Sequence, residues 1–140
     1  MRQLKYLAVA MLILVPSGAA LADDLTGATA LLCAPDHMTL CASNEECTSD
    51  PPEELNIPNF IQVDLEGKTL STTKASGENR VTPIKHVERG DGLIIFQGIE
   101  NGRAFSWVID EATGTVSVAV AVEHAGVVVF GACTPMPGSD

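Results

Sequence analysis

Three side chains in the stretch FSWVIDEATG invite a chemical reading: Trp107, Asp110 and Glu111. An aromatic platform beside two carboxylates is the equipment of glycoside hydrolysis, in which one acid protonates the leaving oxygen and the other attacks or activates water. The spacing opposes that reading. Adjacent residues of a strand point to opposite faces, so Asp110 and Glu111 diverge, and Trp107 and Asp110, three apart, also face opposite ways. A hairpin accounts for the same residues. Asp110 opens a type I turn with its side chain and Gly114 takes the left-handed position that closes it. Trp107 then packs in the core between Phe105 and Ile109. On this reading any function lies away from the stretch, in an acidic cysteine loop or at the opposite rim.

Cys33, His37, Cys41 and Cys47 form a C-x3-H-x3-C-x5-C series. Thiolates and an imidazole could ligate zinc, but the spacing matches no standard finger, and Cys133 would be left over. An even cysteine count suits disulfides, for which three connectivities exist. The expected pairing is Cys41–Cys47 as a local clasp and Cys33–Cys133 as a bridge from one end of the domain to the other. Neither a metal ion nor another cofactor is expected.

His37, His86 and His124 are scattered, and no G-x-S-x-G elbow accompanies them. His86 and His124 are the bases that a small hydrolase would have to use. Glu45, Glu46, Asp50, Glu53 and Glu54 crowd one loop without the D-x-D-x-D-G spacing of a calcium site. They read as a solvated loop, or as a docking surface for a basic envelope protein. Arg89-Gly90-Asp91 spells an adhesion tripeptide, yet its glycine and that of Gly92 have a sufficient role in making a turn.

The elements that must carry these residues are short and β-rich. FIQVDL (Phe60–Leu65), TLSTT (Thr69–Thr73), VTPIKHVE (Val81–Glu88), LIIFQGIE (Leu93–Glu100), RAFSWVID (Arg103–Asp110), TVSVAVAV (Thr115–Val122) and VVVFGACT (Val127–Thr134) are separated by turn signals. In the valine-rich run, Val116, Val118, Val120 and Val122 alternate with small residues at period 2, the signature of a half-buried strand. Pro83 cannot donate to a ladder, so its strand should lie at an edge or carry a bulge. Asn101-Gly102 is the strongest hairpin signal, and Glu100 and Arg103 flank it as a cross-strand pair. LTGATALLCA (Leu25–Ala34) is expected to form a helical turn or two, SNEECTSDPPEELNIP (Ser43–Pro58) a loop, and PMPGSD a frayed end. Together these predict an all-β fold: a single antiparallel meander of about seven or eight strands, closed as a small barrel or packed as a sandwich.

Arg2 and Lys5, the apolar run Leu7–Val15, the breakers Pro16-Ser17-Gly18 and the ALA at Ala20–Ala22 read as a secretory signal peptide over residues 1–22. The run is far shorter than the ~20 residues that span a bilayer, so no stable membrane anchor is expected. Residues 23–140 then form one domain, with its ordered core over about 32–135. The chain carries a formal charge of −10, and loss of the signal removes two of its cations. Such a balance disfavours binding to nucleic-acid backbones and to anionic lipid, and suits a cationic partner.

The segments NIPNFIQVDL, ENGRAFSWVIDEATG and VVVFGACTP, with cysteines near both ends, resemble a family of short exported bacterial proteins of unknown function. The likeness spans roughly Leu32 to Pro135. It implies export, to the periplasm or beyond the cell, and a β-rich fold, and it brings no catalytic residues and no ligand. In size, compartment, disulfide and barrel the chain is also similar to the membrane-bound lysozyme inhibitors of the C-type. No segment matches their inhibitory loop, so this second likeness implies a fold alone. The expected function is a non-catalytic binding or inhibitory module. The rivals are a small periplasmic hydrolase and a ligand-carrying barrel, the last of which requires an unfilled interior.

Overall fold

A computed structural model describes residues 23–137. The expected signal peptide lies outside them. Nine strands follow in order: β1 (Ala30–Ala42), β2 (Thr48–Asp50), β3 (Ile61–Asp64), β4 (Thr69–Thr72), β5 (Val81–Gly90), β6 (Leu93–Glu100), β7 (Arg103–Asp110), β8 (Thr115–Val122) and β9 (Ala125–Pro135). Every pairing is antiparallel. β3 to β9 run as a meander, and β1 joins β3 on one side and β9 on the other, closing an eight-stranded barrel. Barrel and not sandwich is the architecture. β2 is the additional strand, paired with the second half of β1 through Met38–Asp50, Thr39–Ser49 and Leu40–Thr48.

The alternation of side chains dictates the interior. Ile94 and Phe96 of β6, Phe105, Trp107 and Ile109 of β7, and Val116 and Val118 of β8 are buried, while their neighbours face outward. Phe96 stacks on Trp107 with ring centroids 5.1 Å apart. Asn101 and Gly102 have φ of 48° and 76°, the two positive values that a type I′ turn demands. At the next turn the Asp110 carboxylate accepts from the Thr113 amide at 2.9 Å, and Gly114 sits at φ 67°. Asp110 is thus the turn starter that its position implied.

Three expectations change. Leu25–Ala34 is not helical: Leu25 to Ala28 form one tight turn, with the Ala28 amide bonded to the Leu25 carbonyl at 3.0 Å, and β1 begins at Ala30. β1 itself hides from sequence inspection because a bulge at Pro35–His37 breaks its period. Leu31 and Cys33 are buried before the bulge and Met38 after it, so the inward phase slips by one residue. Gly131 opposes Pro35 there, and a Cβ on it would lie 2.2 Å from the Ala34 carbonyl oxygen. Only glycine admits that approach. β5 carries a bulge as well, between Ile84 and His86, although it is not an edge strand, and Pro83 itself pairs in register with Thr69 of β4. The loop over Ser43–Pro58 contains β2 and a 3-10 turn at Pro52–Leu55. The tail is pinned beyond β9 by the Met136 amide, which donates to the Ala30 carbonyl at 2.9 Å.

Both expected disulfides are present, Cys33–Cys133 and Cys41–Cys47. The first ties β1 to β9 across the seam that closes the barrel. Two disulfides belong to an oxidising, exported compartment. No helix among the described residues is long and apolar enough to cross a membrane.

Candidate functional site

The two ends of the barrel differ. One is stoppered by the segment before β1. Leu25 has 0% exposure there, and its amide donates to the Glu111 carbonyl at 2.8 Å. Arg89 holds the stopper in place: it donates to the carbonyls of Leu25 and Ala28, each at 2.7 Å, and pairs with the Glu111 carboxylate. The arginine of the apparent adhesion tripeptide is therefore a structural clamp, and Asp91 and Gly92 form the β5–β6 turn with positive φ.

The other end is open. An apolar cavity of about 330 Å³ enters the barrel from it, at the lower end of the ~300–1,000 Å³ common for small-molecule sites. Trp107, which is 5% exposed, Phe105, Val118 and Val120 wall it on one side, and Leu40, Ile61 and Leu70 on the other. The excursion between β1 and β3 supplies a lip of Leu55, Asn56, Ile57 and Pro58. Gly98 widens the chamber: a Cβ on it would meet the Phe105 ring at 2.3 Å, so its absence lets that ring lie back against β6.

A polar cluster stands at the mouth. Arg80, Thr82, Glu100 and Arg103 all line the cavity. Glu100 is the last inward-facing residue of β6, with a side chain 19% exposed. It accepts from Arg80 Nε at 3.1 Å, Arg80 Nη2 at 3.0 Å and Thr82 Oγ1 at 2.6 Å. The Arg80 hydrogen bonds, aided by Thr82 and by the charges of both arginines, hold its carboxyl below the ordinary carboxylate value against the opposing effect of burial. The same pairing raises Arg80. A general acid needs the opposite shift, so Glu100 is built to stay ionised. Arg103 stands differently. Its Nη2 is 3.7 Å from Glu100, beyond hydrogen-bond reach, and its guanidinium makes no hydrogen bond among the described residues.

Most residues singled out by sequence fall elsewhere. Glu45, Glu46, Glu53 and Glu54 are exposed along the excursion and Asp50 is half-buried in β2. They spread over the outside of the lip, and no group of three metal-ligating side chains occurs among the described residues. All four cysteines are oxidised, so no thiolate is left for a C-x3-H-x3-C-x5-C site. His37 stacks on Phe130 at 5.0 Å, and the ring partners of His37, His86 and His124 are the exposed carboxylates of Asp36, Glu88 and Glu123. Trp107 is buried as expected, yet with Phe105 it also bounds the open chamber, so this hairpin strand is both scaffold and a wall of the candidate site. Glu100 and Arg103 were visible as a hairpin pair, but Arg80 lies in a segment that reads as loop. The available signal was the charge of Glu100 at an inward position of β6, which a sealed core would not tolerate.

Comparison of the chain with protein-family models, with curated proteins and with solved structures finds no match.

Proposed function

We propose that this domain is a non-catalytic binding module of the bacterial envelope, a periplasmic cup that holds a small, largely apolar molecule in the open end of its barrel. The cavity carries the reading. Close packing normally leaves few voids larger than a water molecule, and this chamber is about 330 Å³. Its walls are apolar and its few polar groups converge at the mouth, the general plan of a small-molecule site. Catalysis lacks support here, since Glu100 has both oxygens occupied and Arg80 is held by it.

Intrinsic fluorescence of Trp107, the sole tryptophan, provides the assay. Titration with the neutral dye N-phenyl-1-naphthylamine should give saturable, one-site binding with transfer from Trp107. Val120→Phe places a ring in the chamber. Overpacking a filled core costs about 1–3 kcal/mol, but here the ring has room, so stability should hold while dye affinity falls at least tenfold. Absence of saturable binding, with Val120→Phe destabilised as in a full core, would exclude the cup.

The acidic excursion supports a second reading, as a docking face for a basic envelope protein. It is clasped by Cys41–Cys47 and propped by β2, which holds Glu45, Glu46, Glu53 and Glu54 exposed. Replacing those four by glutamine should abolish capture of a basic partner from envelope extract and leave dye binding intact. Unchanged capture would remove this reading.

A further inference from the structure

The cup reading leaves the ligand's chemistry open, and the mouth narrows it. Resting on that reading, we infer that the occupant is a single-chain amphiphile with a carboxylate head, its tail in the chamber and its head on Arg103.

The mouth carries a net positive charge. Among the residues that line the cavity, the ionisable ones are Arg80, Glu100 and Arg103. Arg80 and Glu100 satisfy one another through two hydrogen bonds, and Thr82 takes a further lone pair of Glu100. One guanidinium remains in excess. In a chain with a formal charge of −10, the mouth is locally cationic.

Arg103 is the inward residue that opens β7, directly opposite Glu100 in the ladder. Its side chain is 42% exposed, neither sunk in the wall nor free in solvent. Among the described residues none of its donors makes a hydrogen bond, with Glu100 3.7 Å away, and they are set in the planar fork that matches a carboxylate bidentately. The neighbouring Arg80–Glu100 pair fixes the background, so a second anion entering the mouth meets Arg103 first. Phe105 lies two residues further along the same strand face and begins the apolar wall. Head and tail sites are therefore contiguous on β7.

The acidic surroundings set a limit on this attraction. Glu78 acts on Arg80 from outside the cluster, and Glu53 and Glu54 stand on the nearby excursion. Glu100, 3.7 Å from Arg103, is the acid nearest the proposed head site, and its charge is taken up by the two hydrogen bonds from Arg80.

Three probes of one tail length separate the head from the tail: decanoate, decanol and decyltrimethylammonium, each titrated below its micelle concentration and followed by Trp107 fluorescence and calorimetry. Decanoate should bind about tenfold more tightly than decanol, the equivalent of ~1.4 kcal/mol, and the cationic probe most weakly. Arg103→Gln should abolish the difference between decanoate and decanol. Equal binding of decanoate and decanol by the natural protein, or preference for the cation, overturns the headgroup assignment while the cup stands. Failure of all three probes to bind removes the cup as well. If Arg103→Gln does not fold, the ranking of the three probes on the natural protein decides alone.

Discussion

Arg89→Ala tests whether the closed end of the barrel is held as described. The guanidinium makes two short hydrogen bonds to main-chain carbonyls and one ion pair with Glu111. Hydrogen bonds involving a charged group contribute about 1.5–3 kcal/mol each. The side chain is 29% exposed, so water recovers part of what is lost, and the two bonds with the pair come to about 3 kcal/mol. A ceiling exists, because once the segment undocks the further cost is the ~2 kcal/mol of exposing Leu25. For a domain of this size, 1 kcal/mol moves the melting midpoint by about 3–5 °C, which makes the expected drop roughly 10 °C. Urea unfolding by circular dichroism measures the loss, and hydrogen exchange locates it: protection of the Leu25 amide, bonded to the Glu111 carbonyl at 2.8 Å, should fall first. Arg89→Lys should recover less than half, since one ammonium cannot serve two carbonyls and a carboxylate in a plane. Asp91→Asn should stay within ~0.5 kcal/mol, because asparagine tolerates the left-handed conformation of that turn. Should Arg89→Ala melt with the natural protein and Leu25 keep its protection, the clamp is an incidental contact and does not hold the closed end.

Removing the Cys33–Cys133 bridge by alanine substitution should cost about 4–5 kcal/mol on the chain-entropy model and removing Cys41–Cys47 about 2 kcal/mol, since the bridges span 100 and 6 residues; urea midpoints at constant slope measure the difference. The lowered pKa of Glu100, caused first by the Arg80 hydrogen bonds, gives stability that is present above the ordinary carboxylate value and lost as pH falls through it toward the lowered one. Glu100→Gln should therefore be less stable at neutral pH and show a flatter acid limb in thermal melts, and parallel acid limbs would contradict the pairing. Gly98→Ala pushes on both the Phe105 ring and the Pro83 carbonyl, so it should lower the melting midpoint and, by moving the ring toward the chamber, weaken dye binding several-fold, read out by Trp107 fluorescence.

Where local signals agree, the sequence reads directly into structure. β6, β7 and β8 fall on the expected residues because alternation, β-branched content and the Asn101-Gly102 and Asp110–Gly114 turns all point one way. β1 fails for a nameable reason. Its Pro35 looks like a terminator and its bulge moves the inward phase from Cys33 to Met38, so neither period nor composition exposes a strand of 13 residues. The site was less legible still. Period 2 says which face of β8 turns inward, but not whether Val118 and Val120 meet other side chains across the barrel. Volume is a property of all eight staves together. Likewise Arg80 reaches Glu100 across 20 positions, a distance over which sequence offers no register.

The seam of the barrel sets an order of events. β1 is the first strand of the domain to leave the ribosome or cross a membrane, and β9, which pairs with it from Leu31–Pro135 to Ala42–Ala125, is the last. Until then one edge of β1 has no partner, an exposed template for pairing with other chains. The Cys41–Cys47 clasp can form as soon as the excursion emerges. Cys33 must wait for Cys133. Oxidation of the long bridge is thus a timestamp for completion: a nascent chain carrying only the short clasp is still an open sheet, and one carrying both has closed.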